Sequence, residues 1–357
     1  MTRSLQILAL LLLATFAGAQ TNQEKAEAKG KEAIQLMDAG KVDESIKLLE
    51  EAQQLDPERF EFKYEIAYAH YLKQNYEEVI RILEKHREHK DETFRLYQLL
   101  GNAYDVNGRP EKALETYDAG LKKFPNSGPL HLEKGNVYWA KQEYVKALDF
   151  YEAGIKADPK FPSNYYRAAR IYCNSTERVW GMIYGEIFMN LERNSQRTVE
   201  ISKLLYDTYD AAIKPGGKSM SVSFSKVMVI DAEALKDTAH PKLPFSMVYE
   251  MNMVLSILME KKIDINSLDR IRSNFVENYF SKEHHKTHPN ILFDYQKKLA
   301  DLGHLEAYNH WILMKGDEKA FSKWQEKNEG KWEAFVKWFS DNKLKVDETR
   351  NFHSSQY

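Results

Sequence analysis

The feature that most constrains this chain is a repeat with a period of 34 residues. The clearest copy runs from Phe94 to Ser127. It carries Tyr97, Leu100, Gly101 and Tyr104 in its first half, then Ala113, Tyr117 and Pro125 in its second. One period forward lie Gly135, Tyr138, Ala147, Tyr151 and Pro159. One period back lie Ile66, Ala67 and Leu83, and a further step back gives Ala33, Leu36, Leu49 and Pro57. The phase holds without insertion from starts at residues 26, 60, 94 and 128. A period of this length accommodates one pair of short helices. A single pair cannot bury its own apolar face, so copies must stack on one another.

Each recurring residue has a physical task. Gly101, Gly135, Ala113 and Ala147 let the paired helices approach closely. Tyr104, Tyr138, Tyr117 and Tyr151 are expected to fill the gaps between neighbouring hairpins. Gly40 and Gly108 fall at the turn between helices, where a left-handed residue often ends the first helix. Pro57, Pro125 and Pro159 stop the second, since proline cannot continue it. The order of aromatic, Leu-Gly, Tyr, Ala, aromatic and Pro resembles the tetratricopeptide repeat over about 26–161, and more loosely to about 195. That resemblance implies an all-α solenoid of about five hairpins. The departures are informative. Glu32 stands in place of a leucine, as on a solvent-facing end. His86 and Asp91 replace a small residue and a proline. A fifth copy begins with Tyr165, Ala168, Ala169 and Tyr172, but Gly181 and Gly185 take the places of alanine and an aromatic. This predicts a longer or altered second helix, and apolar spacing over 190–213 predicts one helix more.

Beyond residue 213 the character changes. Lys214-Pro215-Gly216-Gly217 reads as a turn. Alternation over Ser219–Ser225 and the run Val227–Ile230 suggest a short extended insert within 214–245. His240-Pro241 and Leu243-Pro244 mark another irregular crossing. A helical C-terminal region is expected over 246–345. Its predicted spans are Phe245–Glu260, Ser267–Ser281, Ile291–Leu302, Leu305–Met314, Glu318–Glu326 and Lys331–Asn342. Ser267 and Asp317 are expected as caps. The polar stretch 346–357 is expected to be a flexible tail.

The N-terminus reads as an export signal. Arg3 precedes an apolar run over Ile7–Phe16, and Ala17-Gly18-Ala19 supplies small residues for cleavage before Gln20. The run is too short to span a bilayer. The expected location is therefore a periplasm or the exterior, with a signal over 1–19, repeats over 20–213 and no membrane insertion after cleavage. Hydrophobic residues at 43% and charged residues at 29% give a globular composition with material for a core. A formal net charge of −2 gives no field that would draw nucleic acid. The only cysteine, Cys173, rules out an intramolecular disulfide.

No catalytic constellation is visible, and no cofactor is expected. There is no Gly-rich phosphate loop and no Gly-x-Ser-x-Gly elbow. His284 and His288 are four apart beside Glu283 and His285, but Pro289 argues for a helix end there rather than a metal site. His304, Glu306 and His310 lack zinc-protease spacing. Trp311, Trp324, Trp332 and Trp338, with Phe321, Phe335 and Phe339, fit an apolar face better than a ligand platform.

The resemblance implies that the first helix of each hairpin lines a concave face. Its second, fifth, ninth and twelfth places then point into a groove. Those places hold Glu61, Tyr64, Tyr68 and Tyr71, then Arg95, Gln98, Asn102 and Asp105. Leu132, Asn136 and Trp139 follow, and after them Tyr166 and Arg170. Asn102 and Asn136 are suited to a peptide backbone, and the rings to apolar anchors. The carboxylate clamp of chaperone-binding relatives is not reproduced. Asn102 and Arg167 match it, but Gln98, Glu133 and Ser163 do not, and Glu133 repels a carboxylate. The expected partner is thus a protein or peptide, in an adaptor or assembly role. The alternative is a saccharide or envelope polymer on the Tyr and Trp surfaces. An enzyme within 215–357 is the remaining reading.

Overall fold

The computed structural model describes residues 21–214, 221–226 and 243–357. The expected export signal, the Pro215-Gly216-Gly217 turn, the Val227–Ile230 run and His240-Pro241 lie outside them. Among the described residues the chain is all-α apart from one small ladder, and it divides into two compact units after Pro125.

The first unit holds three hairpins. Helix α1 (Asn22–Asp38) pairs with α2 (Val42–Leu55), α3 (Phe60–Leu72) with α4 (Tyr76–Glu84), and α5 (Phe94–Val106) with α6 (Pro110–Lys123). Thr21 and Glu24 close a reciprocal cap at the start of α1. Glu32 is exposed, as expected of an end copy. The turn within each hairpin places one residue in left-handed conformation: Gly40 at φ 78, Gln74 at φ 60 and Gly108 at φ 75. These positions are one period apart. A methyl group at Gly101 would run into the Tyr117 ring, so glycine is what lets α5 and α6 close on each other. Helix α4 has 9 residues where α6 has 14. The shortening follows the departures at His86 and Asp91. The chain turns there, and the His89 ring stacks on Phe60 at 5.1 Å.

The second unit opens with two more hairpins, α7 (Gly128–Ala140) with α8 (Tyr144–Ala157) and α9 (Pro162–Cys173) with α10 (Arg178–Leu191). The left-handed residue recurs at Gln142, φ 62. Helix α10 is altered but not lengthened, having 14 residues like α8. Every residue from Gly181 to Asn190 is buried. The glycines explain why. Gly181 sits against the Cys173 backbone, and Gly185 against Leu205 and Ile201 of the next helix, so α10 is packed on both sides. That next helix, α11 (Gln196–Ala212), starts at a cap formed by Ser195 and Thr198.

Strands β1 (Ile213–Lys214) and β2 (Ser221–Val222) pair antiparallel, with Ile213 opposite Val222. Helices α12 (Phe245–Ile257), α13 (Ile265–Ser281), α14 (His284–Thr287), α15 (Ile291–Asp301), α16 (Leu305–Leu313), α17 (Glu318–Lys327) and α18 (Glu329–Asp341) complete the unit. Asp317 caps α17 as expected. Helix α13 is instead capped by Asp264, with Ser267 as its reciprocal partner three residues on. A continuous core runs from Ala147 to Phe352. Trp311 and Trp324 are buried in it, and Trp332 and Trp338 pack against it. The segment beyond 346 is docked rather than flexible. Leu344, Val346 and Phe352 are buried, and Tyr357 stacks on Phe245 at 4.7 Å.

Candidate functional site

In the first unit the candidate face is built on α1, α3 and α5. Ile34, Tyr68, Leu72 and Val106 are the exposed large apolar residues among the unit's described residues, and all lie on these three helices. Tyr68 and Ile34 occupy the same ninth place of successive copies. Tyr64 is more buried than the repeat pattern implied. Its ring lies under the Arg95 guanidinium at 4.5 Å, and Arg95 reaches Glu65 at 3.6 Å. Burial pushes the Glu65 carboxyl up, with Arg95 opposing. A hollow of about 380 Å³ opens here, walled by Phe60, Glu61, Tyr64, Thr93 and Arg95. Tyr71 meets Tyr76 edge-on at 5.4 Å. Gln98 and Asn102 are half-buried on α5.

In the second unit the face is built on α7, α9 and α11, and its chemistry is cationic and aromatic. Trp139 is half-buried and meets Tyr144 edge-on at 5.1 Å. The Arg170 guanidinium lies 5.7 Å from the Trp139 ring and 5.3 Å from the Tyr166 ring. It donates to the Tyr166 hydroxyl at 3.1 Å, and that hydroxyl donates to Glu200 at 2.5 Å. Arg197 stands over the same ring at 5.1 Å and is bound to Glu192 and Ser163. Arg167 lies 6.0 Å from it. Among the described residues, neither Arg167 nor Arg170 is paired with a carboxylate. Tyr166 itself is buried, so it supports the arginines more than it offers a surface.

The side-chain carbonyls of the two asparagines are engaged within the chain. The Asn102 carbonyl accepts from the Tyr117 hydroxyl at 2.6 Å, and the Asn136 carbonyl accepts from Tyr151 at 3.1 Å. Asn136 also donates to Glu133 at 2.9 Å. Each amide helps close its own hairpin by accepting from a buried tyrosine hydroxyl.

The other candidates resolve into packing. Burial pushes the Cys173 thiol up to about 12, so no thiolate is available near neutrality. His288 is buried, with Nε2 2.8 Å from the Leu243 carbonyl and Nδ1 3.0 Å from the Thr287 hydroxyl. Among the described residues no group of three or more His, Cys, Asp or Glu is placed to hold a metal.

Sequence reasoning missed a polar centre inside the C-terminal region. Arg272 binds Glu186 through two nitrogens at 2.9 and 2.8 Å. It also donates to Asn309 at 2.8 Å and to Tyr209 at 3.0 Å. Gln296 adds a bond to Glu186 at 2.5 Å, and Asn309 donates to Asp269 at 2.9 Å. The signal was present. Arg272 interrupts the stripe Ile265, Leu268, Phe275 and Tyr279 at a place that helical spacing assigns to the core.

Two profiles described as tetratricopeptide repeat match the chain, over residues 36–103 and 99–162. Residues 36–162 are tetratricopeptide repeats. Solved structures of similar repeat proteins include a thermophilic TPR protein of Thermus thermophilus. It is 19% identical at a TM-score of 0.42, covering 50% of this chain and 98% of that one. The pilF protein of Pseudomonas aeruginosa is 14% identical at 0.45, covering 53% and 85%. YrrB, a TPR protein with an unusual peptide-binding site, is 17% identical at 0.35, covering 49% and 90%. A comparison with curated proteins gives no match. Tetratricopeptide repeats support a protein-interaction role.

Proposed function

We propose that this tetratricopeptide-repeat protein is an exported adaptor or assembly factor that holds a polypeptide partner on the first helices of its hairpins. The observation that carries this reading is the distribution of surface chemistry. In the first unit the exposed large apolar side chains lie on α1, α3 and α5. In the second, arginines lacking carboxylate partners are held against Trp139 and Tyr166 on the corresponding helices. Apolar and aromatic anchors with arginine are the side chains that dominate protein recognition. The half-buried Arg167 and Arg170 favour a partner that brings acidic residues to the second unit. The fold family is generally non-catalytic, and the groups that best resembled nucleophiles or ligands are engaged in packing. The saccharide reading loses most of its platform, because the tryptophans of 311–338 are built into or against the core.

The test is affinity capture from the envelope fraction of the source cell. The bait is the chain from Gln20, as wild type and as Tyr68→Ala with Trp139→Ala. The expected outcome is a polypeptide retained by the wild type and lost from the variant, with helicity unchanged. Equal retention by both proteins, or retention of glycan alone, would overturn the assignment.

A further inference from the structure

Helix α12 is apolar on its exposed side as well as on its buried one. Met251, Val254, Leu255, Leu258 and Met259 form an i, i+3, i+4, i+7, i+8 stripe along α12 and its closing turn. All five are exposed, from 38% at Val254 to 88% at Met259. The opposite, buried side carries Ser246, Asn252 and Ser256 among its apolar residues, with Asn252 and Ser256 bonded back to backbone carbonyls at 2.7 Å. A helix that is apolar all round is normally covered all round. The stripe is also continuous, unlike the scattered single apolar residues that any surface tolerates.

We propose that this stripe is a homodimer interface, in which α12 of two copies cross antiparallel about a two-fold axis near Leu255. Five side chains at these exposures present roughly 500 Å² per copy, at the upper end of what a monomer ordinarily leaves open. Two copies face to face therefore bury at most about 1,000 Å² through these side chains, the least that a specific interface needs. A single helical stripe is complementary to itself when reversed, which is the geometry a two-fold axis demands. Several charges at its rim are matched within the chain, though the exposed Lys261 is not among them. Arg270 binds Glu260 at 2.8 and 2.7 Å, and Lys262 binds Asp264 at 2.6 Å. The stripe itself is free of charge at its centre, as a protein interface is. Among the described residues its rim offers one exposed lysine outside those pairs, Lys261, rather than the cluster of basic side chains with which a surface helix holds an anionic membrane.

Sedimentation velocity on the chain from Gln20, up to about 100 µM, tests this directly. The expected result is a dimer whose dissociation constant rises about 100-fold in Leu255→Glu, because the charge is buried without a partner. Met259→Lys, at the most exposed position, gives a second variant if Leu255→Glu does not fold. Leu255→Cys should form a disulfide-linked dimer under mild oxidant, while Val336→Cys on exposed α18 should not. The native Cys173 is buried and does not interfere. A wild type that stays monomeric overturns the proposal, as does a dimer that neither substitution weakens. A monomer that floats with phosphatidylethanolamine–phosphatidylglycerol vesicles overturns it in favour of a lipid surface.

Discussion

Gln142 stands where the repeat calls for glycine, and its backbone adopts the left-handed conformation regardless. Glycine enters that region without the penalty a Cβ imposes, which is about 1–2 kcal/mol. Gln142→Gly should accordingly stabilise the protein by about 1 kcal/mol, read as a higher urea midpoint at unchanged slope. Asp269 makes a second residue-scale prediction. Burial pushes its carboxyl up to about 6, against the bond donated by Asn309. An acid whose folded pKa is raised binds its proton more tightly in the native state. Stability therefore falls as pH rises from the unfolded value near 4 through 6, and is constant above. Asp269→Asn should remove that fall, of order 1–3 kcal/mol, from the midpoint measured between pH 4 and 7. The turn glycines were legible from the period alone. The use made of Asn102 and Asn136 was not, because their places in the repeat are shared by groove residues, and only the tyrosine hydroxyls 15 residues on distinguish the two roles.

At the scale of elements, periodic segments were read well and aperiodic ones poorly. The helices from α12 to α18 lie within a few residues of their predicted spans, save the short α14, since each carries an apolar face. Helix α10 lost its repeat signature because it is packed on both sides. A helix in that position needs small residues where neighbours press, not the pattern of a one-sided helix. The segment after α18 is held by Leu344, Val346 and Phe352, whose spacing follows no period. Phe352 fits among Tyr184, Phe245 and Trp180 at 5.8, 5.9 and 6.1 Å. Phe352→Ala should cost about 3–5 kcal/mol and speed amide exchange over 343–357 ahead of the rest of the unit. Uniform exchange across the unit would show that the segment is not a separate docking element.

Across the whole molecule, the division after Pro125 carries its own prediction. The core that includes α10, α12, α13 and α15 to α18 is formed within residues 126–357, and Ser127 caps the first helix of that unit. Residues 126–357 produced alone should be helical and unfold in one cooperative transition by circular dichroism. A sloping, non-cooperative melt would count against it. The two halves of this unit are tied by unlike means. Its hairpins close over short separations, such as the 15 residues between Asn136 and Tyr151. Its C-terminal region returns over long ones, with Asn190 and Tyr308 118 residues apart.

The longest of these returns sets a timetable for synthesis. Glu152 accepts bonds from Tyr172 and Tyr184 at 2.8 and 2.9 Å, and from Ser354 at 2.6 Å across 202 residues. A hairpin needs only the neighbouring copy to stack on, but the Glu152 site must wait for residue 354. At ordinary translation speeds that wait lasts roughly 10–40 s. Throughout it, the rings of Trp180 and Tyr184 that later enclose Phe352 are open to the surroundings. The growing chain is thus left with an unfinished, sticky seam, which is what holding chaperones recognise. For a protein exported as proposed above, the same delay would leave the second unit open, and easier to thread across a membrane, until its last residues are made.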